Sequence, residues 1–194
     1  MPEWKRTQYG PYQFELLNLK TRALSHMIQD DMKTVDVTYD TRWGPTDLFA
    51  HLLVENNHLV KDKQVLCLGA GIGVDTLVIG RLCRKLYLND LSSVALSLCE
   101  KQLLHNDIRH FESVIGSFEN IPVPDVDIVT GCYLVYDAPS ATRINRFILS
   151  CDRPILLMND RRMEAFTTLL NSLHTVKTVH MIHDTPKALC VLVT

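Results

Sequence analysis

Gln64-Val65-Leu66-Cys67-Leu68-Gly69-Ala70-Gly71-Ile72-Gly73 is the stretch on which the reading of this chain turns. A short, mostly apolar run gives way to alternate glycines, and Val74, Leu77, Val78 and Leu82 then follow at helical spacing. That pattern predicts a buried strand turning tightly into a helix. Without a Cβ, glycine reaches positive φ and lets a bound molecule approach the backbone. A second strand, Leu86 to Asn89, ends at Asp90, about 20 residues beyond the first glycine, where folds of this plan set a carboxylate against ribose hydroxyls. The segment from Lys63 to Asp90 therefore reads as one strand-turn-helix-strand unit shaped for a nucleoside.

Spacing narrows the ligand. A dinucleotide fingerprint needs glycine at its first, third and sixth positions, whereas the sixth here is Val74 and the third glycine arrives one residue earlier. A nicotinamide dinucleotide is disfavoured on that ground. The plain alternative is an ordinary strand-helix turn that uses glycine for packing.

Composition sets the outer bounds. A chain of 194 residues holds one sizeable core and is short for two ordinary domains, so a single domain is expected over 1–194, with an N-terminal helical extension to about residue 60 and a Rossmann-like core from 61. Hydrophobic content of 46% and charged content of 22% are those of a globular protein. A net charge of -2 provides no broad basic field, which disfavours a nucleic-acid partner. The six cysteines show no Cys-x-x-Cys spacing and mostly sit in apolar runs, as free thiols of a reducing compartment do. No signal-like or membrane-length apolar stretch is present, so a cytoplasmic location without membrane contact is expected.

Along the chain, Tyr9 to Pro11 is turn-like, and Phe14, Leu16, Leu17, Leu19, Leu24, Met27 and Ile28 suggest an amphipathic helix that extends the core or covers a cleft, serving as a lid or as a dimer surface. Val35 to Tyr39 suggests a short strand or extended arm. The turn cluster Thr41 to Thr46 precedes a helix over 47–56. After Asp90, Ser92 or Ser93 caps a helix over 94–105, and strands are expected over 111–115, 126–130 and 154–158, with helices over 142–149 and 163–173. Two closing runs, 176–182 and 188–193, are separated by a loop short enough for a hairpin. His174, His180 and His183 lack a convergent third ligand and read as surface or edge histidines, and Arg161-Arg162 reads as a solvated helix start or a partner for an acidic substrate.

Cys67-Leu68-Gly69-Ala70-Gly71-Ile72-Gly73 together with Asp90 resembles the class I S-adenosylmethionine-dependent methyltransferases, whose first motif runs acidic-x-Gly-x-Gly-x-Gly and whose second strand ends in an acid. The resemblance implies an α/β, Rossmann-like seven-stranded sheet with helices on both faces and an antiparallel C-terminal hairpin. It implies S-adenosylmethionine as cofactor and S-adenosylhomocysteine as product. Cofactor contacts would come from Gly69, Ala70, Gly71 and Gly73, from Asp90 and Leu91, and from Ser117, Phe118 and Cys132. Trp43 would close over the methionine end of the ligand, or else anchor the N-terminal layer in the core. Phe118 would lie against adenine or pack as a core residue.

Trp43-Gly44-Pro45, Asn89-Asp90-Leu91 and Gly131-Cys132-Tyr133-Leu134-Val135-Tyr136-Asp137 are also similar to a group of small protein-lysine methyltransferases that includes the enzymes acting on the electron-transfer flavoprotein β subunit. That group ends its fourth strand in Asp-x-x-Tyr, often followed by an acid. Tyr136 and Asp137 match, and the resemblance assigns them to orienting and deprotonating an acceptor amine, while the alternative has Tyr136 packing at the rim and Asp137 capping the next helix. The acceptor would be a protein substrate, with a small amine as the alternative. Cys67, Ser117 and Tyr133 each stand where the resemblance expects an acid. Their loss motivates a rival of another class, a methyltransferase fold that binds a partner and transfers nothing.

Overall fold

A computed structural model describes residues 3–35 and 44–194. The predicted arm over 35–39 falls almost wholly outside them, as does Trp43. A hairpin of β1 (Trp4–Tyr9) and β2 (Tyr12–Leu17) leads into α1 (Arg22–Met32) and α2 (Gly44–Glu55). Then come β3 (Gln64–Leu68), α3 (Val74–Leu82), β4 (Lys85–Asp90), α4 (Ser93–His105), β5 (Phe111–Ile115), β6 (Ile128–Cys132), α5 (Ala138–Ser150), β7 (Ile155–Asn159), α6 (Glu164–Leu173), β8 (Val179–Asp184) and β9 (Leu189–Val193).

The main sheet has seven strands in the order β5-β4-β3-β6-β7-β9-β8. β5, β4, β3, β6 and β7 run parallel, while β9 is antiparallel to both β7 and β8, which makes the expected C-terminal hairpin. Strand order reverses at β3: the chain builds outward through β4 and β5, then crosses to β6 on the other side. In such sheets the crevice at the carboxyl ends of the switch strands receives the ligand.

Both faces of β3 are covered, which explains its unbroken apolar run. Val65 and Cys67 join the apolar cluster under α2, α3 and α4, and Leu66 and Leu68 join the one under α5 and α6. α3 is buried at every position except Arg81, so its glycine-to-helix junction is set inside the core rather than on the surface.

The N-terminal reading needs correction. The segment from Phe14 was expected to be helical, but Tyr12–Leu17 is a strand paired residue by residue with β1, from Tyr9↔Tyr12 to Trp4↔Leu17. Tyr12, Phe14 and Leu16 alternate with Gln13 and Glu15, a period of two that Leu17 and Leu19 obscured. Helix begins only at Arg22, so the first part of the expected helical extension is a hairpin.

Two amide side chains of α4 fasten this hairpin. Asn106 donates to the Glu15 carbonyl at 2.9 Å and accepts from its N–H at 2.8 Å, so a side chain takes the place of a neighbouring strand. Gln102, 1% exposed, accepts from the Leu17 N–H at 2.8 Å and donates to the carbonyls of Ile72 and Gly73 at 2.8 and 3.0 Å. One buried amide thus joins the hairpin to the glycine turn. Gln102→Ala strands these groups without partners, and we expect a loss of about 2–4 kcal/mol in unfolding free energy, measured by urea denaturation.

Candidate functional site

β3 must become α3 without the chain striking its neighbours. Gly73 caps α3 in the left-handed region at φ 79°, and a Cβ there would run into Cys99 Sγ and Thr76 Oγ1. Gly69, at φ 58°, faces Leu134 so closely that a side chain would displace it. The turn is pinned from outside by Asp90 at the end of β4, which accepts the Gly71 N–H at 2.8 Å and, through its other oxygen, the Ser92 N–H at 3.0 Å. Ser92 in turn caps α4 by accepting from the Ala95 N–H, and its hydroxyl donates to Asp31 of α1 at 2.5 Å. Burial pushes the Asp90 carboxyl upward against the pull of the Ser92 and Gly71 N–H groups, and the nearby Asp31 carboxylate adds to the rise.

A cavity of about 490 Å³ opens over these strand tips. Gly69, Ala70, Gly71, Gly73, Asp90 and Leu91 line it, and so do Ser117, Phe118, Cys132 and Tyr136, so these predicted positions share one space. Ser117 sits at weak hydrogen-bonding distance, 3.5 Å, from Glu119. Phe118 packs edge-on against Phe147 at 5.9 Å between centroids and also lines the cavity. The Cys132 thiol lies 3.9 Å from Thr46 Oγ1 and is held well above its ordinary pKa by burial.

Tyr136 and Asp137 part company. Tyr136 is 45% exposed at the cavity rim, its hydroxyl 3.4 Å from Arg143 Nη2. Asp137 is the N-cap of α5: its carboxylate accepts the Ser140 N–H at 2.7 Å, and the Ser140 hydroxyl returns to the Asp137 N–H at 3.0 Å. The Ser140 contacts hold its carboxyl below the usual range, which makes it a poor proton acceptor. The geometry gives Asp137 a capping role, with both ends of the capping box occupied.

Tyr133 was read in the sequence only as the position of a missing acid, and the structure adds its backbone and surroundings. Tyr133 has a left-handed backbone at φ 58°, unusual for a non-glycine residue and characteristic of strained functional positions. Burial raises its hydroxyl pKa, with Asp160 adding to the effect. Asp160 itself is clasped by Arg162 through Nε at 3.0 Å and Nη2 at 2.6 Å, and Arg161 pairs with Asp184 at 2.6 Å, so these arginines are tied to acids of the chain's own.

Asp75, in the first turn of α3, is the most consequential omission. It lines the cavity at 5% exposure, and its burial lifts the carboxyl from 3.8 to about 6 despite the N–H groups of Asp75 and Thr76. The available signal was a carboxylate inside an otherwise buried apolar helix. Cys67, at the position where the first motif was expected to carry an acid, is buried with its thiol pKa raised well up by desolvation, and Asp75 is near enough to add to that rise.

Comparison with solved structures identifies the architecture. A 16S rRNA methyltransferase from T. thermophilus, in complex with AdoMet and guanosine, matches with a TM-score of 0.68 at 13% identity over 98% of this chain and 49% of that one. The fold is that of the class I methyltransferases. An rRNA methylase from Streptococcus thermophilus matches at TM-score 0.57 and 15% identity over 79% of this chain and 97% of its own, and a ribosomal-protein methylase from Lactobacillus delbrueckii subsp. bulgaricus at 0.62 and 13% over 79% and 80%. The chain therefore spans about half the T. thermophilus enzyme and most of the other two. No family model matches the sequence, and no curated protein does. Among the described residues no group of acidic, histidine or cysteine side chains forms a metal site, and no helix is long and apolar enough to cross a membrane.

The Asp75 carboxyl has a thermodynamic signature. Its pKa is higher in the fold, about 6, than in the unfolded chain, near 3.8, so its stabilising contribution is complete below pH 3.8 and is lost as pH rises through 6. Above that, the ionised, buried carboxylate costs about 3 kcal/mol relative to acid conditions. Asp75→Asn should therefore raise the unfolding temperature by roughly 5–10 °C at pH 8 and leave it nearly unchanged at pH 4, as read by scanning calorimetry.

Proposed function

We propose that this chain is an S-adenosylmethionine-dependent methyltransferase acting on a nitrogen, with a protein side-chain amine, lysine first, as the acceptor. The observation that carries the reading is the glycine turn pinned to Asp90 by its Gly71 N–H, opening onto a cavity that also holds Tyr133 and Tyr136 beyond the β6 tip. The residues fit the nucleoside: the close backbone approach that the glycine turn permits, Asp90 for sugar hydroxyls, Leu91 and Phe118 for the flat base and Ser117 for its edge. The Cys132 and Leu134 side of the cavity supplies apolar walls that exclude water. Trp43, outside the described residues, keeps its assigned place over the methionine end as part of this proposal.

When bound, the sulfonium supplies an activated methyl group that passes to nitrogen as the C–N bond forms and the C–S bond breaks, leaving S-adenosylhomocysteine and a proton. The chain's task is to align a neutral amine and keep water away. Tyr136 orients the amine through its hydroxyl. Arg143 beside it disfavours an ammonium, since a like charge pushes an amine toward its neutral form. Proton loss is thus assisted by local charge and desolvation rather than by Asp137, whose carboxylate is engaged in the cap.

A protein acceptor is favoured over RNA by the net charge of -2, which affords no cationic field for phosphates. The rRNA substrates in the names of two structural relatives make RNA the class to test against. All six cysteines are free, in keeping with a reducing, cytoplasmic setting. Transfer of radiolabelled methyl from S-adenosylmethionine into cell lysate, resolved on gels with and without protease or ribonuclease, decides the acceptor: a protease-sensitive band supports the proposal, whereas label only in RNA or small molecules overturns the protein assignment. Asp90→Ala should weaken S-adenosylhomocysteine binding at least about tenfold by calorimetry, since each charge-assisted hydrogen bond is worth about 1.5–3 kcal/mol. Tyr136→Phe should lower turnover while leaving that affinity within about twofold, because the hydroxyl is assigned to the acceptor.

A further inference from the structure

The cavity contains a carboxylate that neither the resemblance nor the fold assigns. Asp75 sits in the first turn of α3, directly after the glycine turn, 5% exposed and on the cavity wall. Among the described residues no lysine, arginine or histidine pairs with it. No positive group offsets it there: the Cys67 thiol of β3, the Cys99 thiol of α4 and the Cys132 thiol of β6 all feel its charge, burial keeps all three protonated, and Asp90 on the same cavity wall is a second acid. A buried carboxylate whose charge is opposed only by helix-terminal N–H groups is costly, and a cation arriving from the cavity is the natural counter-charge.

Cys67 gives this a chemical direction. The resemblance implies that an acid at that position faces the amino group of the ligand's amino-acid tail, whereas the thiol present is buried, protonated and unable to offer charge. We propose that Asp75 supplies the missing charge from the adjoining helix, its carboxylate receiving the α-ammonium of the methionine or homocysteine tail. This rests on the nucleoside reading of the cavity, and it makes the tail, not the base or sugar, the part of the ligand that Asp75 selects. The loss of an acid at position 67 is then a relocation of charge by a few residues along the chain, and the inference of a non-binding fold loses its main support.

The test uses the full chain, three probes and calorimetric titration. S-adenosylhomocysteine carries the ammonium without the sulfonium, 5′-methylthioadenosine carries neither, and S-adenosylmethionine carries both. Asp75→Asn, which keeps shape and can still accept the N–H groups, is expected to weaken S-adenosylhomocysteine and S-adenosylmethionine alike by about tenfold or more, leaving methylthioadenosine within about twofold. Wild-type affinity for S-adenosylhomocysteine should also fall more steeply below pH 6 than that of the variant; Asp90, which also titrates, stays in both proteins and faces both thioether ligands. Equal weakening of all three probes would assign Asp75 a purely structural part and overturn the proposal. Weakening of S-adenosylmethionine alone would move the contact to the sulfonium and overturn the ammonium assignment. An unchanged S-adenosylhomocysteine affinity would do the same, whereas wild-type protein that binds none of the probes would remove the nucleoside reading itself.

Discussion

The hydrogen bond from the Gly71 N–H to Asp90 holds the rest of this structure in place. It fixes the passage from β3 to α3 against the tip of β4, so these two neighbouring strands present their ends to one space. The same carboxylate accepts the Ser92 N–H, and Ser92 starts α4. One side chain thereby sets the turn, the neighbouring strand end and the next helix, and burial of that side chain makes the arrangement sensitive to any change in its protonation.

Around this pin the cavity is divided by charge. The turn side holds Asp75 and Asp90, both with raised carboxyl pKa values because burial disfavours their ionised forms. The rim beyond β6 holds Tyr133, Tyr136 and Arg143, with Asp160 neutralised by Arg162. The acidic end therefore favours a positive group and the end beside Arg143 disfavours one. Keeping an ionised carboxylate inside α3 reduces stability above about pH 6.

Much of this was legible because strand, turn and helix signals agreed. The alternate glycines, the apolar run before them and Asp90 after them are local features, and local features of a doubly covered strand survive folding unchanged. β5 emerged with the bounds expected of it, and the closing hairpin followed from two apolar runs around a short loop. The N-terminal hairpin was obscured because its alternation is only three residues deep on the apolar side, too short to stand against the leucines that follow. Asp137 illustrates a different limit: an acid beside a tyrosine at a strand end has the same sequence whether it faces a substrate or caps a helix, and only the position of Ser140 decides. Asp75 was passed over for a third reason, since the thiols around its carboxylate, Cys67, Cys99 and Cys132, converge from three other elements.

The joint made by Gln102 and Asn106 has a bearing on the solution behaviour of the whole molecule. Both are uncharged amides, so nothing in that joint is screened by added electrolyte or titrated between mildly acid and mildly alkaline buffer. The contact between hairpin and turn thus adds no salt dependence of its own, whereas the Lys101–Glu3 and His105–Glu15 pairs that also tie the hairpin to α4 weaken as electrolyte is added.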